Sequence, residues 1–136
     1  MEFDPLDKGE ARLEQPLFTE AEAAALARAT VNLFAHWRIS DAEARIILGG
    51  ISEKSWDLLK GGGTSATEQD TQMRMSILMG IHAGLRYLFV DTSRGYDWVK
   101  KPNTNFDGLS ALDIMKRGDL ADLLAVREYL NAERGV

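Results

Sequence analysis

The sequence predicts an all-α fold, and three observations predict it. Apolar residues recur at spacings of three and four along several segments, which lines one face of a helix. Ser, Thr or Asp repeatedly stands just before such a segment, with an acidic residue three positions on, as helix starts require. No segment shows the strict apolar–polar alternation of a half-buried strand. The expected architecture is a small multi-helix protein in three parts. Residues 1–17 form a flexible arm, residues 18–63 a helix-turn-helix-like region, and residues 64–136 a C-terminal helical domain.

The arm holds Pro5 and Pro16 and seven charged residues without a period. The first helix starts at Thr19, where Thr19 and Glu22 form a capping box and Phe18 can staple onto Ala23. Leu26, Thr30, Leu33, Phe34 and Trp37 then make one stripe. Ser40 and Glu43 open a short helix to about Leu48, with Ala44, Ile47 and Leu48 facing inward, and Gly49-Gly50 ends it. Ser52 caps a third helix through Lys60, with Trp56 and Leu59 inward. Two short helices joined by a tight glycine turn have the outline of a helix-turn-helix.

Gly61-Gly62-Gly63 followed by Thr64-Ser65 reads as a flexible joint. Thr67 with Asp70 opens the longest helix, to about Phe89, with Met73, Ile77, Leu78, Ile81, Leu85 and Leu88 as its stripe. Gly80 and Gly84 lie inside it, and each costs about 1 kcal/mol against alanine. Either a neighbouring helix packs closely there or the face serves self-association. Tyr96 to Val99 suggests one more helical turn, stopped by Pro102. Residues 103–109 form a loop. Ser110 and Asp113 open a helix to Lys116, Gly118 ends it, and Asp119 caps the last helix, to about Ala132.

The chain has 136 residues, is 45% hydrophobic and contains no cysteine. It can therefore bury a core without staples, and thiolate zinc or nucleophile chemistry is excluded. Met1 to Glu10 is acidic without an apolar centre, unlike a signal peptide, and no apolar run approaches the roughly 20 residues of a membrane span. A soluble, cytoplasmic protein is expected. His36 and His82 lack acidic partners at ligand spacing, and solvated or packed imidazoles are the expected reading. No serine sits in a G-x-S-x-G setting, and the three-glycine run lacks the Lys-Ser/Thr of a P-loop. Neither an enzyme nor a cofactor is expected.

The net charge of −5 disfavours a protein that holds nucleic acid mainly through phosphates. In the candidate recognition helix, Lys54 and Lys60 are balanced by Glu53 and Asp57, and the preceding helix adds Asp41 and Glu43 against Arg45. Ser52, Lys54, Ser55 and Lys60 are the residues that could touch operator DNA. The competing reading keeps the shape for folding or protein contact.

The most distinctive stretch is Trp98-Val99-Lys100-Lys101-Pro102-Asn103-Thr104-Asn105-Phe106-Asp107-Gly108, then Ser110-Ala111-Leu112-Asp113-Ile114-Met115, then Gly118-Asp119-Leu120 and Leu123 to Leu130. With Trp37-Arg38-Ile39-Ser40 and Leu48-Gly49-Gly50-Ile51-Ser52 to Trp56, it resembles the MbcA/ParS/Xre antitoxin family, ParS type, over roughly residues 33–134. The resemblance implies the antitoxin half of a type II toxin–antitoxin pair. Its partner is then a RES-domain toxin that consumes NAD, by degradation or by ADP-ribosyl transfer, and its C-terminal domain covers the toxin's active site. Many members also repress their own operon, yet the family's usual basic recognition helix here carries Glu53 and Asp57. A homodimer, formed through the first helix or the glycine-bearing one, or a hetero-oligomer with the toxin, is expected.

The expected toxin-binding residues are Asn103, Phe106, Asp113, Arg127, Tyr129, Arg134, Gly135 and Val136. Leu120, Leu123, Leu124, Arg127 and Leu130 share one helix face, so Arg127 needs an acceptor. That acceptor is either an internal carboxylate, for example Asp113, or the partner. Asn103 fits an Asx turn. Phe106 and Tyr129 lie off the stripes, where aromatics often anchor interfaces, with core packing the alternative for Phe106. The short end from Arg134 to Val136 could enter a cleft.

Overall fold

A computed structural model describes residues 18–63 and 68–135. Among the described residues there are seven α-helices and one 3-10 turn, and no strand. The expected arm, the Thr64-Ser65 joint, the Thr67 cap and Val136 lie outside the described residues.

The helices are α1 (Glu20–Trp37), α2 (Asp41–Ile47), α3 (Glu53–Lys60), α4 (Gln69–Leu88), α5 (Thr92–Trp98), α6 (Ala111–Met115) and α7 (Leu120–Arg134). The 3-10 turn is Thr104–Phe106. The capping boxes at Thr19/Glu22, Ser40/Glu43 and Ser110/Asp113 are all formed, each side chain satisfying a free N–H of the other residue. Ser52 caps α3 through the Ser55 N–H. Arg38 closes α1 in the left-handed region at φ 55°, so that the Arg38 and Ile39 N–H groups return to the carbonyls of Ala35 and Phe34.

α4 is the central element. It packs most extensively against α7, then against α1, while α1 also covers α3. One apolar core runs through all of these, from Leu33, Phe34 and Trp37 through Ile47, Trp56 and Leu59 to Met75, Leu78, Ile81, Leu123 and Leu130. Each such buried side chain contributes about 1.5–3 kcal/mol of hydrophobic stabilisation before entropy is counted.

Two features of α4 differ from the sequence reading. Met73, expected inward, is 40% exposed, and Met75 is fully buried in its place. α4 is covered on two sides, so its buried arc is wider than a single stripe and takes in Thr71, Gln72 and Arg74 as well. Gly80 and Gly84 do serve close packing: a Cβ on Gly80 would lie 3.0 Å from Arg127 Cδ, and one on Gly84 3.1 Å from Leu130 Cβ. The glycine face is thus occupied by α7 of the same chain. α5 is longer than the expected single turn, since Asp91 accepts the Ser93 N–H and starts the helix at Thr92. α7 runs on to Arg134, past the expected Ala132.

The helix pair α2–α3 is tied to the tail by a buried cation. Arg74 is 8% exposed. Its Nη1 donates to the carbonyls of Ile47 at 3.2 Å and Gly118 at 2.7 Å, and its Nε donates to Asp70 at 2.9 Å. Both carbonyls stand near glycine turns, one after α2 and one before α7. Lys116 reinforces the junction with a 2.9 Å ion pair to Glu43.

Candidate functional site

The C-terminal third builds a rigid loop against α7. Asn103 accepts the Asn105 N–H on its side-chain oxygen at 2.9 Å, an Asx turn. Its own carbonyl accepts from the Phe106 and Gly108 N–H groups, and its N–H donates to the Leu109 carbonyl. Asp107 and Gly108 turn the chain with φ of 57° and 84°. A hairpin of seven residues thus satisfies much of its own backbone, which rigidifies it without burying it.

Side chains then lock the loop to α7. Tyr129 stacks parallel to Trp98, with centroids 6.0 Å apart and planes at 7°. Phe106 meets Tyr129 edge-on at 5.1 Å and Trp98 at 6.3 Å. All three rings are half-buried and lean on the core. Edge-on and offset aromatic pairs each add roughly 0.5–1.5 kcal/mol beyond area burial. Asn105 donates from Nδ2 both to Asn103 Oδ1 at 3.1 Å and to the Tyr129 hydroxyl at 3.2 Å. The Leu112 N–H reaches the Val99 carbonyl at 2.9 Å, closing the loop at its base.

Of the expected site residues, the structure brings Asn103, Phe106 and Tyr129 together. Asp113 is spent on the Ser110 capping box: the Ser110 backbone N–H donates to its carboxylate and, with the nearby Ser110 hydroxyl, lowers its pKa. Arg127 does not pair with Asp113. Its Nη2 lies 3.7 Å from Glu128 and its stem lies over Gly80. Arg134 stacks over the Tyr87 ring at 4.7 Å, and Gly135 closes α7 in the left-handed region. Arg127 and Arg134 therefore sit along the α4 seam, away from the aromatic cluster. Sequence reading passed over Trp98 and Asn105 as site residues. The Asn-x-Asn spacing is the signal that could have marked Asn105.

The helix pair has a different character. Ser52 and Ser55 bond to each other at the α3 start. Lys60 contacts Asp41 and Asp57 at 3.3 and 3.6 Å, and Arg45 lies 3.9 Å from Glu53. Asp41 also accepts the Trp56 Nε1–H at 2.8 Å, and this bond, with the Lys60 contacts, lowers its pKa. Most cations of this pair thus have acidic neighbours already, and Lys54 stands exposed.

His36 and His82 stack on Tyr96, with centroids at 4.6 and 6.1 Å and ring planes nearly parallel. Burial, aided by the charges of Arg86 and His36, pushes the His82 pKa down. No group of three or more His, Cys, Asp or Glu side chains suited to a metal occurs among the described residues. No described helix is long and apolar enough to cross a membrane.

The loop and the three rings form a preordered, partly exposed surface on one side of α7, built from hydrogen bonds and ring contacts within the chain. Residues 84–135 match the model of the antitoxin Xre/MbcA/ParS C-terminal toxin-binding domain. The chain is 37% identical over 130 residues to the uncharacterized protein y4oB of Sinorhizobium fredii, spanning 90% of this chain and 99% of that one. The chain belongs to the Xre/MbcA/ParS antitoxin family. Its role is that of an antitoxin, and its partner is a toxin.

Proposed function

We propose that this protein neutralises a RES-domain, NAD-consuming toxin by covering its active site with the loop 103–109 and α7. The observation that carries this reading is the coincidence of the toxin-binding domain match with the preordered Trp98–Phe106–Tyr129 cluster. A surface already fixed in its bound shape loses little entropy on docking, which favours slow release. The net charge of −5 suits a toxin whose nucleotide cleft is basic. The protein works by binding, in the cytoplasm, with no cofactor and no chemistry of its own. Asn103, Phe106 and Tyr129 form the centre of the contact. Arg127, Arg134 and the chain end extend it along the α4 seam.

Operon repression through α3 is the second role. The helix-turn-helix outline favours it, while the pairing of Arg45 and Lys60 with carboxylates weakens it. Co-expression with the adjacent reading frame tests the main reading. Growth rescue, preserved cellular NAD and co-purification of the two chains are expected. Toxicity and NAD loss unaffected by this chain would remove it. A gel shift on the upstream operator, with and without the toxin, decides the second role.

A further inference from the structure

We infer that Asn105 is a positioning residue of the toxin-binding surface, one that holds the loop in its binding shape through Asn103 and Tyr129. This inference rests on the antitoxin reading and deepens it. Asn105 is exposed, so it adds no core burial. Its carboxamide nevertheless joins two elements that are 24 residues apart. One Nδ2 donates to Asn103 Oδ1 at 3.1 Å and to the Tyr129 hydroxyl at 3.2 Å. Asn103 Oδ1 also accepts the Asn105 backbone N–H, so one oxygen fixes both ends of the residue. The phenol is held in turn by Trp98 stacked parallel at 6.0 Å and Phe106 edge-on at 5.1 Å.

The chemistry requires this residue type. The position must donate twice from one atom, and a carboxamide does so where a carboxylate cannot. An aspartate would set its negative oxygens against Asn103 Oδ1. An alanine would keep the backbone turn and the Phe106 ring contacts but lose the hydrogen-bonded link between the loop and α7. The loop backbone lies largely in water, and the Asn105 link shares its docking with the Phe106 ring contacts, so losing that link lowers the fraction of time the loop is docked. A partner that recognises only the docked shape then binds in proportion to that fraction.

The test uses the full chain with Asn105→Ala, Asn105→Asp, Tyr129→Phe and the Ala/Phe double variant. The probe is the toxin encoded beside it, made inactive by substitution. Amide hydrogen exchange at residues 105–109 is read in the free protein, and toxin release is read by surface plasmon resonance. Asn105→Ala should raise loop exchange and speed release about tenfold, with thermal stability unchanged. Tyr129→Phe keeps the ring stack and loses only the hydroxyl, so it should show part of the same effect. The double variant should be no worse than Asn105→Ala alone, because both changes break one link. Asn105→Asp should resemble the alanine variant.

Unchanged loop exchange in Asn105→Ala overturns the inference, whether or not the toxin binds. So does additivity of the two substitutions, or wild-type release from the variant. Failure of the unaltered chain to hold the toxin is a different result: it sinks the antitoxin reading against that toxin, while the exchange data still decide whether Asn105 positions the loop.

Discussion

Replacing Arg74 by alanine should unlatch the helix pair from the tail, and the structure sets the size of the effect. The side chain is 9% exposed and donates to two carbonyls, Ile47 and Gly118, and to Asp70. A hydrogen bond from a charged donor contributes about 1.5–3 kcal/mol net, so the two carbonyl bonds together amount to about 3–6 kcal/mol. The Asp70 carboxylate is 54% exposed, and its share is at most about 1 kcal/mol after solvent screening. Releasing the guanidinium from its buried, immobilised state returns roughly 2 kcal/mol of side-chain entropy. The net loss is about 3 kcal/mol, which lowers the melting temperature by roughly 10 °C in a chain of this size. Lysine at the position keeps the charge but cannot reach all three acceptors with a planar fork, so about half the loss should remain. Urea unfolding followed by tryptophan fluorescence measures it, since Trp37 and Trp56 are 1% and 4% exposed in the shared core. An alanine variant within 1 kcal/mol of the unaltered chain would refute the argument that this cation ties the two halves together.

Three further outcomes are expected. Alanine at Gly84 meets Leu130 Cβ, which cannot move without its backbone, and should cost about 1–2 kcal/mol. Alanine at Gly80 meets only the flexible stem of Arg127, so its helix-propensity gain of up to about 1 kcal/mol should leave stability equal or higher; thermal denaturation of the pair checks the contrast. Because the His82 pKa is depressed in the fold, its contribution is present above about pH 6.5 and is lost as pH falls below that, when the unfolded chain takes up the proton first. Urea midpoints from pH 7 to 5 should fall, and His82→Gln should flatten that slope; an unchanged slope would assign it elsewhere. Deleting the last six residues removes Arg134 from Tyr87 and should weaken toxin inhibition, measured as NAD protected at equal protein; full inhibition would show that the chain end takes no part.

Much of this architecture was legible because helix starts are local chemistry. Thr19, Ser40 and Ser110 each announced a cap three residues ahead of an acid, and each cap is formed. Longer-range facts left no such mark. Whether Met73 or Met75 turns inward depends on how many neighbours cover α4, which periodicity cannot count. Arg74 is satisfied by backbone carbonyls, and carbonyls have no residue letter. Asn105 hid in a loop whose partner lies 24 positions away. Residues 92–95 lack an apolar period, so the start of α5 rested on Asp91 alone. The residues that converge, Asn103, Phe106 and Tyr129, were found through the family pattern and through aromatics with no obvious core place.

The shared core has a consequence for the helix-turn-helix outline. Ile47, Leu48, Trp56 and Leu59 are committed inward to the same apolar cluster as Met75 and Leu123. Apart from Asp41 and Glu43, which bond Trp56 and Lys116, the outward letters of α2 and α3 are loosely constrained, while any change to the inward ones strikes the antitoxin tail too. A lineage that stopped reading an operator would still inherit the silhouette of a DNA reader, preserved as scaffolding long after its outer surface had been given over to other uses.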